Sequence, residues 1–291
     1  MPQVPTGDLI TEARAARTGI AAFNVITLEH AEGVVAGAES AGAPVILQVS
    51  QNAVRFHAGR LAPLAAACRA IAKDAAVGVA LHLDHIDDVD LLHQTAEVGF
   101  DSVMYDASKL DYSDNLAATR SAAEWAHARQ VWLEAELGEV GGKDGAHAPG
   151  VRTDPAEAKA FVAATGVDAL AVAVGSSHAM TDRTARLDHE LIAELRAATG
   201  VPLVLHGSSG VPYPELTRAV EQGMTKINIG TALNIAFTGE IRHTLATDPT
   251  GVDPRPFLRQ ARDAIAMAVA EVLHAVALGP TSDSAPTVIE R

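Results

Sequence analysis

The chain has 291 residues, and its 36 acidic against 22 basic side chains give a formal net charge of -14. That balance argues against the basic face of a nucleic-acid binder or a membrane-surface protein. A small anionic substrate stays compatible, because a metal ion and backbone N–H groups can make one pocket locally positive. The hydrophobic share is 48% but the aromatic share only 4%, so the core is built from Ala, Val, Leu and Ile, which suits closely packed parallel strands covered by helices. One cysteine, Cys68, excludes an intramolecular disulfide and reads as a buried helix position. The first residues lack a signal-peptide pattern and no apolar run reaches the roughly 20 residues of a membrane span. The expectation is a cytoplasmic protein.

Taken in chain order, short aliphatic runs predict strands at 20–25, 45–49, 77–83, 102–105, 131–137, 169–174, 202–205 and 226–229. Between them, amphipathic Ala-rich stretches predict helices at 28–41, 61–73, 89–98, 115–129, 155–165, 189–199, 213–222 and 231–245. Strict β-then-α alternation implies a parallel sheet, and eight units favour closure into an α/β (β/α)8 TIM barrel. Gly99, Gly166, Gly200 and Gly223 lie where each helix hands over to the next strand, a position that favours a positive φ. The Gly-rich stretch 138–153 reads as a mobile active-site loop, and an extra C-terminal helix is expected over 254–278. Residues 1–278 form one predicted barrel domain; 279–291 reads as a flexible tail.

Polar residues collect on one end of this scaffold. Asp84 and His85 end strand three, Glu136 ends strand five, His178 follows strand six and His206 caps strand seven. Asn24, Ser50 and Asn228 occupy the same end of strands one, two and eight. Barrel enzymes build their active sites on that face. Three histidines with an open fourth position match a catalytic zinc site. His82, two residues before Asp84, shares its face but sits deeper and reads as a core group or a partner of the ligands. His30, His93, His127, His189, His243 and His274 read as surface residues on helices. Lys226 is placed near the start of its strand, at the wrong end for a Schiff base. The segments His206-Gly207-Ser208-Ser209-Gly210 and Asn228-Ile229-Gly230-Thr231 have the residues of a phosphate cradle after strands seven and eight.

At these positions the sequence resembles the class II fructose-bisphosphate and tagatose-bisphosphate aldolases. The resemblance is carried by Ala22-Phe23-Asn24-Val25, Ala80-Leu81-His82-Leu83-Asp84-His85, Gly99-Phe100-Asp101-Ser102-Val103-Met104, Glu134-Ala135-Glu136-Leu137-Gly138, Val174-Gly175-Ser176-Ser177-His178, Leu205-His206-Gly207-Ser208-Ser209-Gly210 and Lys226-Ile227-Asn228-Ile229-Gly230-Thr231. It implies Zn2+ on His85, His178 and His206, with Glu136 as an alternative ligand and Asp84 as acid/base. It also implies a phosphorylated ketose substrate whose dihydroxyacetone-phosphate half lies at Gly207, Ser208, Ser209 and at Asn228, Ile229, Gly230, Thr231. A monovalent cation and a homodimer or homotetramer are further implications. The chain departs from the pattern in three places. Ala179 stands where a phosphate-contacting Gly is usual, Asp106-Ala107-Ser108-Lys109 replaces Asp-Gly-Ser-His, and Gly141-Gly142-Lys143-Asp144 replaces a Glu pair. Asp144 is the candidate acid/base for the nucleophilic carbon. Arg255, Arg259 and Arg262 are candidates for the far phosphate. A lysine-based aldolase, a zinc hydrolase and a non-catalytic zinc- and phosphate-binding barrel are the competing readings, and the sequence does not choose between C4 epimers of the sugar.

Overall fold

A computed structural model describes residues 3–137, 151–178 and 180–276. Asp144, Ala179 and the tail from 279 lie outside the described residues. Eight parallel strands close in sequence order: β1 (Ile20–Asn24), β2 (Val45–Ser50), β3 (Val79–Ile86), β4 (Ser102–Tyr105), β5 (Trp132–Glu136), β6 (Ala169–Ala171), β7 (Leu203–Leu205) and β8 (Met224–Ile229), with β8 pairing back to β1. The fold is the expected (β/α)8 barrel. Helices α2 (Leu28–Ala41), α4 (Leu61–Asp74), α5 (Val89–Glu97), α6 (Tyr112–His127), α7 (Pro155–Thr165), α8 (His189–Thr199), α9 (Tyr213–Gln222) and α10 (Thr231–Thr247) cover it. Two helices escaped the sequence reading. α1 (Thr6–Ala16) precedes β1, and the short α3 (Gln51–Phe56) follows β2 directly.

Strand side chains alternate between faces, and here the alternation separates two materials. Residues such as Phe23, Leu47, Leu81, Leu133, Leu203 and Ile227 point outward into the layer between strands and helices, the larger part of the core. Inside the barrel, Ile20, Ala22, Ile46 and Ala80 form an apolar floor closed from below by Leu9, Ile10 and Ala13 of α1. Two residues further along, β2, β3, β5 and β8 turn the interior polar, with Gln48, His82, Glu134 and Lys226 all completely buried, whereas Met104 of β4, Ala169 and Ala171 of β6 and Val204 of β7 form a separate apolar cluster. Two residues further still come Asn24, Ser50, Asp84, Glu136 and Asn228, at the mouth. The C-terminal helix α11 (Arg255–Val276) packs on α2, where a Cβ on Gly37 would meet Ala266 O at 2.5 Å.

The structure corrects three expectations. Lys226 is the third of six residues in β8, not its first, so its side chain lies mid-barrel. His30 is buried, with its ring 4.6 Å from that of Phe237, and His189 is hydrogen-bonded to Glu215; neither is a free surface group. The strand predicted at 77–83 runs on to Ile86 and takes Asp84 and His85 with it.

Candidate active site

Asp84 follows the inward parity of Ala80 and His82. His85, the next residue, would point out towards the helices in a regular strand. It does not, because β3 changes register against β4 between Leu83 and Ile86 and His85 adopts φ +50. This left-handed turn in a non-glycine residue costs about 1–3 kcal/mol and is the kind of strain that concentrates at functional sites. It brings two consecutive side chains to one cavity.

There His85 Nε2 lies 2.9 Å from His206 Nδ1. The far nitrogen of each ring is held by a carboxylate, His85 Nδ1 at 2.8 Å from Asp106 Oδ2 and His206 Nε2 at 2.9 Å from Glu134 Oε1. Each ring donates its outer N–H to a carboxylate, which turns a lone pair inward and fixes the ring plane. Two lone pairs at that separation repel unless positive charge lies beside them, and a proton or a metal ion supplies it. His178 completes the group, its ring centroid 5.2 Å from that of His85, and one ligand nitrogen from each of the three histidines falls within 4.8 Å of the others. The donor set therefore fits a three-histidine metal centre. The electrostatics favour a cation as well. Burial disfavours a charged His85, but Asp84 and Asp106 outweigh it and push its pKa up to about 10. Asp106 is half-buried, yet the His85 and Ser108 hydrogen bonds hold it well below the usual carboxylate range. Burial raises the pKa of Asp84 against the opposing charges of His85 and Lys226, which makes its carboxylate a stronger base.

The cavity above these groups has a volume of about 780 Å³ and is lined by Asp84, His85, Glu136, His178, His206, Asn24, Ser50 and Asn228, all eight anticipated from sequence. Gly207, Ser209, Gly230 and Thr231 form another part of its wall. Ser209 Oγ accepts from Ala232 N–H and so ties the two loops together at the start of α10. Ser208 and Ile229 are not brought to the cavity by their side chains. Ser208 Oγ donates to the Leu205 carbonyl, and Ile229 is buried in the outer core. Arg255, Arg259 and Arg262 do not line the cavity either; Arg255 pairs with Asp253, and Arg262 with Glu32 of α2.

Sequence reasoning gave no role to Gln48 or Glu134 and set Lys226 aside. Gln48 donates to Asn24 Oδ1 at 2.5 Å and to Asp84 Oδ2 at 3.4 Å, leaving its Oε1 buried without a hydrogen-bond partner. Glu134 and Lys226 lie directly beneath the histidines. Parity would have found all three, since each sits two residues before a residue already chosen: Ser50, Glu136 and Asn228. Arg55 and Lys109 supply the cavity wall with its cationic side chains, Arg55 facing Asp87 at 3.6 Å.

A model of the family described as fructose-bisphosphate aldolase class-II matches residues 4–278. The chain belongs to that family. As a member it is a carbon–carbon lyase, and the expected recognition of a small phosphorylated sugar follows from the family. The chain is 38% identical over 269 residues to a fructose-bisphosphate aldolase of Geobacillus stearothermophilus, covering 91% of this chain and 93% of that one. Among solved structures it is similar to the YdjI aldolase of Escherichia coli K12, with 30% identity, a TM-score of 0.82 and coverage of 94% and 97%. A fructose-bisphosphate aldolase of Campylobacter jejuni shares the fold at 23% identity and a TM-score of 0.81, over 94% of this chain and 95% of that one. Among the described residues no helix is long and apolar enough to cross a membrane.

Proposed function

We propose that this aldolase is zinc-dependent and reversibly cleaves a ketose 1,6-bisphosphate, with fructose 1,6-bisphosphate as first candidate and its C4 epimer tagatose 1,6-bisphosphate as second. The products are dihydroxyacetone phosphate and glyceraldehyde 3-phosphate. The observation that carries the zinc reading is the pair of inward-facing nitrogens of His85 and His206, each oriented by a carboxylate behind it, with His178 alongside. Fructose comes first because the relative at 38% identity bears that sugar in its name.

Zinc on His85, His178 and His206, with Glu136 as alternative ligand, would supply Lewis-acid polarisation of the ketose carbonyl. The chain does the rest. Asp84 takes the proton of the C4 hydroxyl, the C3–C4 bond breaks, and its electron pair passes towards the C2 carbonyl. Asp144 is proposed to return a proton to C3. Gly207, Ser209, Gly230 and Thr231 cradle the phosphate of the dihydroxyacetone half at the start of α10, with the main-chain groups of Ser208, Ile229 and Ala179 as further contacts. Asn24, Ser50 and Asn228 bind sugar hydroxyls, and Gln48 Oε1 offers an acceptor for another. A monovalent cation beside the phosphate belongs to the same proposal. So does a homodimer or homotetramer, in which Arg255, Arg259 and Arg262 reach a neighbouring subunit's cavity.

The test is cleavage of both epimers by the purified chain, before and after chelation. Activity lost to EDTA and regained with Zn2+ is the expected result. Activity indifferent to chelation and trapped by borohydride would instead indicate a lysine Schiff base. Lys226 is the residue such chemistry would need, and its ammonium is ion-paired to Glu134 at 2.8 Å beneath the cavity floor.

A further inference from the structure

Lys226 occupies a socket with three acceptors, one from each of three strands. Its Nζ lies 2.8 Å from Glu134 Oε2 on β5, 2.8 Å from Asn228 Oδ1 on β8 and 3.5 Å from His82 Nε2 on β3. An ammonium has three N–H donors, and here each has one acceptor. The proton positions around it follow. Ser102 Oγ donates to the Leu81 carbonyl, so it accepts from His82 Nδ1 at 2.9 Å and leaves His82 Nε2 as a lone pair facing Lys226. Neither Lys226 nor Glu134 is exposed at all.

Two arms rise from the socket to the groups that act on substrate. On one, Glu134 presents its second oxygen, Oε1, to His206 Nε2 and so aims His206 Nδ1 at His85. On the other, Lys226 claims Asn228 Oδ1, which fixes the amide with its NH2 towards Asp84 Oδ1 at 3.4 Å; the same nitrogen lies 3.2 Å from His206 Nε2, whose N–H is already given to Glu134. A side chain that only balanced the charge of Glu134 would not need the second arm.

We propose that Lys226 is a positioning residue that orients His206 for metal through Glu134 and Asn228 for Asp84 and substrate through its own N–H. This rests on the metal reading above. Because it acts through two neighbours, its two effects are separable in a double-mutant cycle of Lys226→Met and Glu134→Gln. The first readout is Zn2+ affinity by competition with a chromophoric chelator, with the metal alone and no sugar. The second is kcat at saturating Zn2+.

Lys226→Met is expected to weaken Zn2+ binding by about 10- to 100-fold, the usual effect of disturbing a group that orients a ligand. Glu134→Gln cuts the same arm. Adding Lys226→Met to Glu134→Gln should therefore cost little further Zn2+ affinity while still lowering kcat by at least about tenfold through Asn228. A Phe161→Ala variant, altered in the outer core, serves as control for lowered stability and should keep wild-type Zn2+ affinity. If Lys226→Met does not fold, the comparison of Glu134→Gln with the double variant, which buries no unpaired charge, still decides the second arm. Wild-type Zn2+ affinity in Lys226→Met, or equal kcat in Glu134→Gln and the double variant, overturns the proposal. Failure of the wild-type protein to take up Zn2+ overturns the metal reading instead.

Discussion

Replacing Gly207 by Ala perturbs the site through its backbone alone. Gly207 has φ +67, and a Cβ there would stand 2.6 Å from both the carbonyl carbon and oxygen of Ser177. Ordinary contact begins near 3.4 Å, so the Ser177 peptide must retreat by roughly 0.8 Å, the difference of the two distances. The left-handed conformation costs an alanine about 1–2 kcal/mol and the overpacking about 1–3 kcal/mol. The structure has two ways to respond, and they have different signatures. If the loop holds, the energy is lost from stability. If it yields, His178 moves with its neighbour Ser177, and metal sites tolerate displacements of only about 0.2 Å in their ligand distances. The loop should yield, because what blocks the Cβ is the backbone of one residue, Ser177, next to His178. Zn2+ affinity should then fall at least about tenfold and kcat/KM about 100-fold, the cost of misplacing a reacting group by about an ångström. Gly200→Ala is the control, since Gly200 has φ +72 but nothing within 4 Å of its Cβ. Chelator competition and thermal unfolding of the metal-free proteins read both quantities. Wild-type zinc affinity and turnover in Gly207→Ala, with only a lowered Tm, would refute the reasoning.

Three other perturbations probe separate parts of the argument. Asp84→Ala should lower turnover by at least about 100-fold, the low end for an acid/base group, at unchanged zinc content; zinc lost with the side chain would make Asp84 a ligand. Phe161→Ala, in the fully buried outer layer, should cost about 3–5 kcal/mol of stability at unchanged kcat, and a fall in kcat larger than the fall in folded fraction would contradict the separation of layers. Burial pushes the Cys68 thiol up to about 12. With the folded value raised, its stabilising contribution is complete below the ordinary value near 9 and is lost as pH climbs towards 12. A thiol reagent at pH 8 should therefore label Cys68 only as fast as the protein opens; prompt stoichiometric labelling of the folded chain would contradict its burial.

The barrel was legible because eight aliphatic runs alternate with amphipathic stretches, and each strand is buried on both faces. The mouth was legible for a related reason: a polar residue at the end of an otherwise apolar run has few other places to go. What stayed hidden depended on neighbours that no local pattern displays. α1 looks like any amphipathic helix, and only the apolar floor of Ile20, Ala22, Ile46 and Ala80 explains its position. His30 sits on a helix, as expected, but α10 supplies Phe237 to cover it. Lys226 was misplaced through the boundary of β8. Met224 and Thr225 were left out of the strand, which made the lysine look terminal when it is central. Ser208 carries the right chemistry in the right loop, yet the short 3-10 turn at Ser208–Gly210 directs its hydroxyl to the Leu205 carbonyl.

The division of the barrel interior has an energetic logic. Burying Glu134 and Lys226 is costly, and an ion pair with two further acceptors offsets that cost without making the pair more stable than well-packed aliphatic residues. His85 adds backbone strain, and Gly207 accepts a close approach that no other residue tolerates. These unfavourable features all lie in the upper half of the barrel. The floor under them and the shell around them are apolar and regular, from Ile20 and Ile46 inside to Phe23, Leu81 and Phe161 outside. Stability thus resides mainly where there is no chemistry, and the site can keep groups that stability alone would replace. The consequence distinguishes the two regions by experiment: apolar substitutions at Lys226 and Glu134 together should cost little folding free energy and much function, whereas truncation of Phe161 should do the reverse.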